Sequence, residues 1–477
     1  MPTLDWENKS AALQAANNAP YHLLEFDSAS SCGDDDNLII QGDNLPVMKA
    51  LLPYYRQKVK CIYIDPPYNT HSAFEHYDDN FEHSEWLSMM YPRLELLRDF
   101  LTDDGAIFIS INFRDEYHHL RFICDEIFNV KNYVGTLTWE SLTQPTSSGR
   151  AKFGLQIKTE PILCYRNNAA ENIFELTPAT NTRTYPHKGK FGACRFEVIE
   201  TSDAGTYGRS TMKFRILGQA PRKGKRWKVG EETARQLEAT GRVEIVDGIV
   251  KRAIYPEDEA DKIIYKLFWS HLKAEDVGTA QSGKEILNSI MGEAIGFDTV
   301  KPPALIEELI HHLDKNSLVL DAFAGSGTTA HAVINLNASD GGNRKFIMIE
   351  EQDYCKTITA ERVKKVGGSF KYYRLGAELF DETGAINRAV TFRQLAAYIW
   401  FKCTGTPYTA EGTSPLLGIY NGTAYYLVRD VLTKEILATL PAYEGDKIIF
   451  GEACRLSAEV LLANKITFQQ IPTKIKA

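Results

Sequence analysis

Two blocks of alternating strand and helix, separated by a stretch of different texture, constrain this chain more than any single motif. In the first block LIIQG precedes Asp43, a helical stretch covers 45–52, VKCIYI precedes Asp65, a helix covers 84–101, AIFISI covers 106–111 and a helix covers 114–128. In the second, Pro302-Pro303 opens a helix over 301–313, followed by a strand at 317–320, a helix at 328–336, a strand at 344–349 and a helix at 354–366. Short apolar runs separated by amphipathic helices are the βαβ pattern of a parallel sheet. The pattern predicts an α/β chain whose second block completes the sheet begun by the first. Between them, from about Ser141 to Gly283, the pattern loosens around TQPTSSGR at 143–150 and PRKGKRWK at 221–228, and reads as an inserted module. The tail from Leu375 (AYYLVR, KEILATL, DKIIFGEAC, ITFQQIP) reads as a small domain. At roughly 100–200 residues per domain, 477 residues hold two to four.

Charge narrows the partners. The whole chain carries −8, which by itself argues against nucleic acid. Between Asn181 and Lys228, however, twelve Lys/Arg face three acids (Glu197, Glu200, Asp203), a local +9 that leaves −17 for the remainder. No run of eighteen apolar residues occurs, and Asp5 and Glu7 sit where a signal core would be, so the expectation is a cytoplasmic protein without membrane contact. Eight cysteines lack a CxxC pair, which predicts reduced, mostly buried thiols. His118-His119 and His311-His312 lack partners at metal-ligand spacing and read as helix-surface residues. Tyr398, Trp400 and Phe401 read as core, and Trp139 as buried or lining a cleft.

Two motifs carry chemistry. Leu318-Val-Leu-Asp321-Ala-Phe323-Ala-Gly325-Ser-Gly327-Thr328-Thr-Ala330 is a buried strand, a tight glycine turn and a helix, which presents backbone amides to a ligand. A triphosphate loop needs Lys after its second glycine, and here Thr328 stands there. A dinucleotide turn, GxGxxG/A with a later acid, is satisfied by Gly325, Gly327, Ala330 and Glu350. S-adenosylmethionine is the third candidate: the Asp321 carboxylate would repel a pyrophosphate and attract an ammonium, and Glu350 would accept ribose hydroxyls. The second motif is Asp65-Pro66-Pro67-Tyr68-Asn69-Thr70 at the end of a strand. Two prolines fix the backbone and donate no hydrogen bond, so Asp65 and the Pro66 carbonyl form a pair of acceptors matched to the two N–H bonds of one amino group. Tyr68 offers a ring on which a base can stack.

With DPPY at 65–68 and DAFAGSG at 321–327, the chain resembles the amino-group DNA methyltransferases. Catalytic motif first, recognition region in the middle and cofactor motif last is the order of their β group. Gly42-Asp43-Asn44-Leu45 is similar to the stretch that contacts the cofactor adenine, and Phe297-Asp298-Thr299-Val300-Lys301-Pro302 to one lying against the cofactor. The strings GTAQSGKEI (278–286), AGSGTTAHAV (324–333) and GGNRKFIMIE (341–350) look most like type III restriction–modification (Mod) subunits. KTEPILCY at 158–165 departs from the HEYILVY of that family, with Thr159 in place of His.

The resemblance implies a circularly permuted Rossmann-like sheet. Its expected parts are an N-terminal extension (1–36), a catalytic half (37–165), a target-recognition domain (166–285), a cofactor half (286–374) and a C-terminal α/β domain (375–477). It implies adenine-N6 methylation of double-stranded DNA, with cytosine-N4 as the alternative within the same chemistry. A nicotinamide oxidoreductase is the alternative of another class, and leaves DPPY, Asp321 and the basic insert unexplained. The catalytic residues would be Asp65, Pro66, Pro67 and Tyr68. S-adenosylmethionine would be held by Asp43, Lys301, Asp321, Phe323, Gly325, Gly327, Thr328 and Glu350, and no metal is required. Arg222, Lys223, Lys225, Arg226 and Lys228, with Trp227 among them, would contact DNA. A homodimer and a restriction (Res) subunit are the implied protein partners.

Overall fold

The structure, a computed structural model, describes residues 3–33, 35–70, 81–145, 153–178, 183–204, 210–260, 262–297 and 299–476. Arg209 of the basic stretch, Asp298 and part of 143–150 lie outside them. The chain divides into one compact unit of Met1–Glu175 with Phe268–Ala477, and a second of Leu176–Leu267, which falls within the expected span 166–285.

The larger unit is built on ten strands: β1 (His22–Phe26), β2 (Leu38–Gln41), β3 (Val59–Ile64), β4 (Leu101–Ser110), β5 (Tyr133–Glu140), β6 (Thr159–Arg166), β7 (His271–Leu272), β8 (Leu318–Asp321), β9 (Lys345–Glu350) and β10 (Lys371–Glu378). In space they run β1-β10-β2-β9-β8-β3-β4-β6-β5-β7. The six from β10 to β4 are parallel. β8, late in the chain, stands between β9 and β3, pairing Val319 with Cys61 and Leu320 with Ile62. β1 pairs with β10, so the expected N-terminal extension supplies an edge strand, and the expected boundary after Arg374 falls inside β10.

Side-chain alternation along the strands feeds a layer on each face. Ile62 and Ile64 of β3 pack with α1 (Asn44–Tyr55), α2 (His83–Phe100) and α3 (Tyr117–Cys124). Cys61 and Tyr63 pack with α4 (Pro303–His311) and α5 (Thr328–Asp340). Trp86, Met90, Leu94 and Leu97 of α2, spaced for one helical face, are fully buried; such burial contributes roughly 1.5–3 kcal/mol per large side chain. The first block thus covers one face of the sheet and the second block the other.

The tail adds α6 (Phe392–Thr404) and a separate sheet of Leu416–Tyr420, Thr423–Leu432, Asp446–Cys454 and Ile466–Gln470, in that order. Tyr398 and Trp400 are buried there beside Leu23 of β1. The smaller unit holds a four-stranded antiparallel sheet with helix Glu231–Ala239 on a core of Ile199, Ile216, Trp227, Leu237 and Val250. Five of the eight cysteines are buried and none is paired. Among the described residues no helix is long and apolar enough to cross a membrane.

Candidate active site

The carboxyl ends of β2, β9, β8 and β3 lie side by side and deliver Asp43, Glu350, Asp321 and Asp65 to one edge of the sheet. In an open α/β sheet this edge is where ligands bind, at the point where strand order reverses.

Beyond β3 the Asp65–Asn69 turn is gripped at four points. Lys301 Nζ lies 2.9 and 2.7 Å from the two Asp65 oxygens, 3.9 Å from Glu160 Oε2 and 5.0 Å from the centre of the Tyr68 ring. Burial pushes the Lys301 ammonium down, but the Asp65 and Glu160 carboxylates more than offset it, so its pKa is raised. Trp86 Nε1 donates to the Pro67 carbonyl at 2.8 Å, Tyr68 Oη donates to Glu160 Oε2 at 3.0 Å, and Asn69 Nδ2 donates to Glu116 Oε1 at 2.7 Å. Pro66 is buried, and among the described residues its carbonyl accepts no hydrogen bond. Trp139 is fully buried and donates to the Gly278 carbonyl at 2.9 Å. Lys301, expected on the cofactor side, therefore sits on the catalytic motif.

Beyond β8, Asp321 is 2% exposed and holds its own turn: Oδ1 accepts from the Phe323 amide at 3.0 Å and Oδ2 from Thr329 Oγ1 at 2.5 Å. Glu350 Oε2 accepts from the Gly325 amide at 2.7 Å, and Oε1 from the Gln352 amide at 3.0 Å. Burial pushes both carboxyls up to about 7 against these hydrogen bonds. Gly325 (φ +51) and Gly327 (φ +82) are left-handed, and a Cβ on Gly325 would enter nearly open space. Thr328 turns inward: its hydroxyl donates to the Lys301 carbonyl at 3.2 Å and accepts from Arg362 at 2.8 Å. What Thr328 can offer a ligand is its amide at the start of α5. Asp43 caps α1 through the Leu45 amide at 2.9 Å and pairs with Arg93 at 2.8 Å. Asn44 Nδ2 donates to the Ala322 carbonyl at 2.7 Å, which ties this stretch to the glycine turn. Phe323 is half-buried against the core.

In the smaller unit five of the twelve basic residues behind the local +9 are paired with acids. Arg222 Nε is bound to Glu200 at 2.6 Å. Arg183 and Arg195 share Glu259, and Lys213 and Arg226 flank Asp203. Trp227 is fully buried and donates to the Phe214 carbonyl at 2.7 Å, so it is core and not a stacking platform. Lys223, Lys225 and Lys228 meet no acid among the described residues, although Lys228 donates to the Val198 carbonyl at 2.8 Å.

Sequence reasoning missed several residues of the site. Glu160 lies beside Thr159, the departure within 158–165, which by itself assigns Glu160 no role. Glu116, Trp86 and Arg362 carried no signal, because each acts on a group distant in the chain. His118 is exposed as expected, and His119, partly exposed, has its Nδ1 2.7 Å from Glu116; the expectation of a surface position is corrected for His312, which is 1% exposed and stacked on Phe268 with ring centres 4.1 Å apart.

Residues 59–361 match the family described as DNA methylase. The Mod subunit of the type III restriction–modification enzyme StyLTI from Salmonella typhimurium is 32% identical over 367 residues, covering 68% of this chain and 54% of that protein. The EcoP15I Mod subunit of Escherichia coli is 28% identical over 434 residues, covering 74% and 65%. The type II methyltransferase M.KpnI of Klebsiella pneumoniae is 27% identical over 375 residues, covering 72% and 87%. The chain thus spans between half and two thirds of the length of the two Mod subunits.

Proposed function

Because the chain belongs to the DNA methylase family, we propose that it transfers a methyl group from S-adenosylmethionine to the N6 amino group of adenine in double-stranded DNA, as the modification subunit of a type III restriction–modification system. The observation that carries this reading is the juxtaposition of Asp65, the Pro66 carbonyl and Tyr68 after β3 with the glycine turn after the neighbouring β8.

The residues at the turn fit the cofactor. Gly325 leaves open space, and two buried carboxyls pushed up to about 7 suit an ammonium at Asp321 and ribose hydroxyls at Glu350. Asp43, Phe323 and the amides after Gly327 complete the set that would hold it. When bound, the cofactor supplies an electrophilic methyl group on a sulfonium. The chain's part is to position and to stabilise charge. Asp65 and the Pro66 carbonyl accept the two N–H bonds of the amino group, which frees its nitrogen lone pair as positive charge develops. Trp86 and Glu160 fix the angle of that clamp through Pro67 and Tyr68. The proton leaves to water after transfer.

A base inside a duplex cannot reach this edge, so it swings out at a cost of a few kcal/mol, offset in part by stacking on Tyr68. The Leu176–Leu267 unit, with Lys223, Lys225 and Lys228, is the proposed target-recognition region. A homodimer and a Res subunit are the proposed partners. Modified-base sequencing of DNA from cells expressing wild type or Asp65→Ala tests the reading. N6-methyladenine in one sequence context, present with wild type and absent with the variant, supports it; N4-methylcytosine, or no mark from either, overturns it.

A further inference from the structure

Glu116 is a fully buried carboxylate at the start of α3, yet its side chain does not cap that helix. It faces three groups from elsewhere: Asn69 Nδ2 at 2.7 Å, His83 Nδ1 at 2.6 Å and His119 Nδ1 at 2.7 Å. A carboxylate removed from water is costly unless such donors surround it, and here one of the three belongs to the residue next to Tyr68. Asn69 is itself fully buried, holds a left-handed φ of +59°, and accepts from the Phe81 amide at 2.8 Å through Oδ1.

Resting on the function proposed above, we infer that Glu116 is a positioning residue for methyl transfer: it locks Asn69, and through Asn69 the angle at which Asp65, Pro66 and Tyr68 meet the amino group. His83 and His119 complete the shell of Glu116, their rings packed edge to face at 5.3 Å. A metal centre is the competing reading, since the three ligand atoms lie within 4.8 Å of one another. The hydrogen bonds favour the positioning role. Tetrahedral zinc with bonds of about 2.0–2.2 Å sets its ligands roughly 3.3 Å apart, whereas both imidazoles approach Glu116 at hydrogen-bond length, and the Asn69 amide donates to the same oxygen as His83.

The test compares wild type, Glu116→Ala, Asn69→Ala, the double variant and Glu116→Gln, in tritiated methyl transfer to unmethylated genomic DNA and in equilibrium binding of S-adenosylmethionine. Each alanine variant should lower kcat by about tenfold to a hundredfold, the cost of misplacing reacting groups, with cofactor affinity within about twofold. The double variant should be no slower than the worse single one, because both break one link. Glu116→Gln, which keeps an acceptor for Asn69, should recover most of the rate, and it keeps the test informative should the alanine variant unfold. Wild-type kcat in Glu116→Ala, or additive losses, overturns the inference. So does a Glu116→Gln variant as slow as Glu116→Ala in a protein that purifies with one zinc and loses activity to a chelator. A wild type that transfers no methyl group overturns the proposed function instead.

Discussion

Lys301 holds together carboxylates that would otherwise repel: its ammonium touches Asp65 and lies 3.9 Å from Glu160, and its side chain is 10% exposed. Removing one member of a partly buried ion pair strands the other, at a cost below the roughly 3–5 kcal/mol of a fully buried one. Lys301→Met should therefore lower kcat about a hundredfold or more by releasing Asp65 from its fixed position, with cofactor affinity little changed. Rapid-quench methyl transfer alongside equilibrium binding measures the split, and a loss confined to binding would return Lys301 to the cofactor. Asp65 and Tyr68 were legible in the sequence because two consecutive prolines at a strand end are a local signal that marks the residues on either side. Glu160 and Glu116 were not, since a single acid acquires its role only from what tertiary packing brings against it.

The turn between β8 and α5 is the element under most constraint. Gly327 sits at φ +82, and a Cβ there would lie 3.2 Å from both the Cγ2 and the carbonyl oxygen of Thr359. Gly327→Ala should destabilise the protein by about 1–3 kcal/mol, read as a lower midpoint in urea unfolding. Asp321 and Glu350 give the same element a pH dependence. Pushed up to about 7 by burial, they hold protons in the folded state that an unfolded chain releases near pH 4. These two groups therefore contribute a loss of stability as pH rises from about 4 through 7. His331, pulled down to about 4 by burial, works in the opposite direction, so the decisive quantity is a difference between variants. Asp321→Asn should reduce the fall in Tm between pH 5 and pH 8 and be the more stable protein at pH 8; an unchanged or steeper fall would refute the assignment.

For the whole molecule, charge counted along the chain overstated what is available to DNA. Five of the twelve basic residues in the insert are bound to Glu200, Asp203 or Glu259. Replacing Lys223, Lys225 and Lys228 together by Gln should flatten the slope of log K for DNA binding against log salt by up to about 0.9 for each phosphate no longer neutralised. Arg222→Gln should mainly lower stability by stranding Glu200, and a nitrocellulose-filter salt series with a thermal melt separates the two effects. The sequence by itself determined the α/β class, both motifs, five of the ten strands of the core sheet (β2, β3, β4, β8 and β9) and the helices packed on them, because apolar periodicity and proline and glycine punctuation are local properties. It also implied that the two blocks share a sheet. Only the tertiary structure decided that β8 lies against β3, that β1 closes the sheet edge, that Lys301 serves Asp65, and that Glu116 stands behind Asn69. Those pairings join residues far apart in the chain, chosen by which faces can be buried together, and no local pattern encodes them.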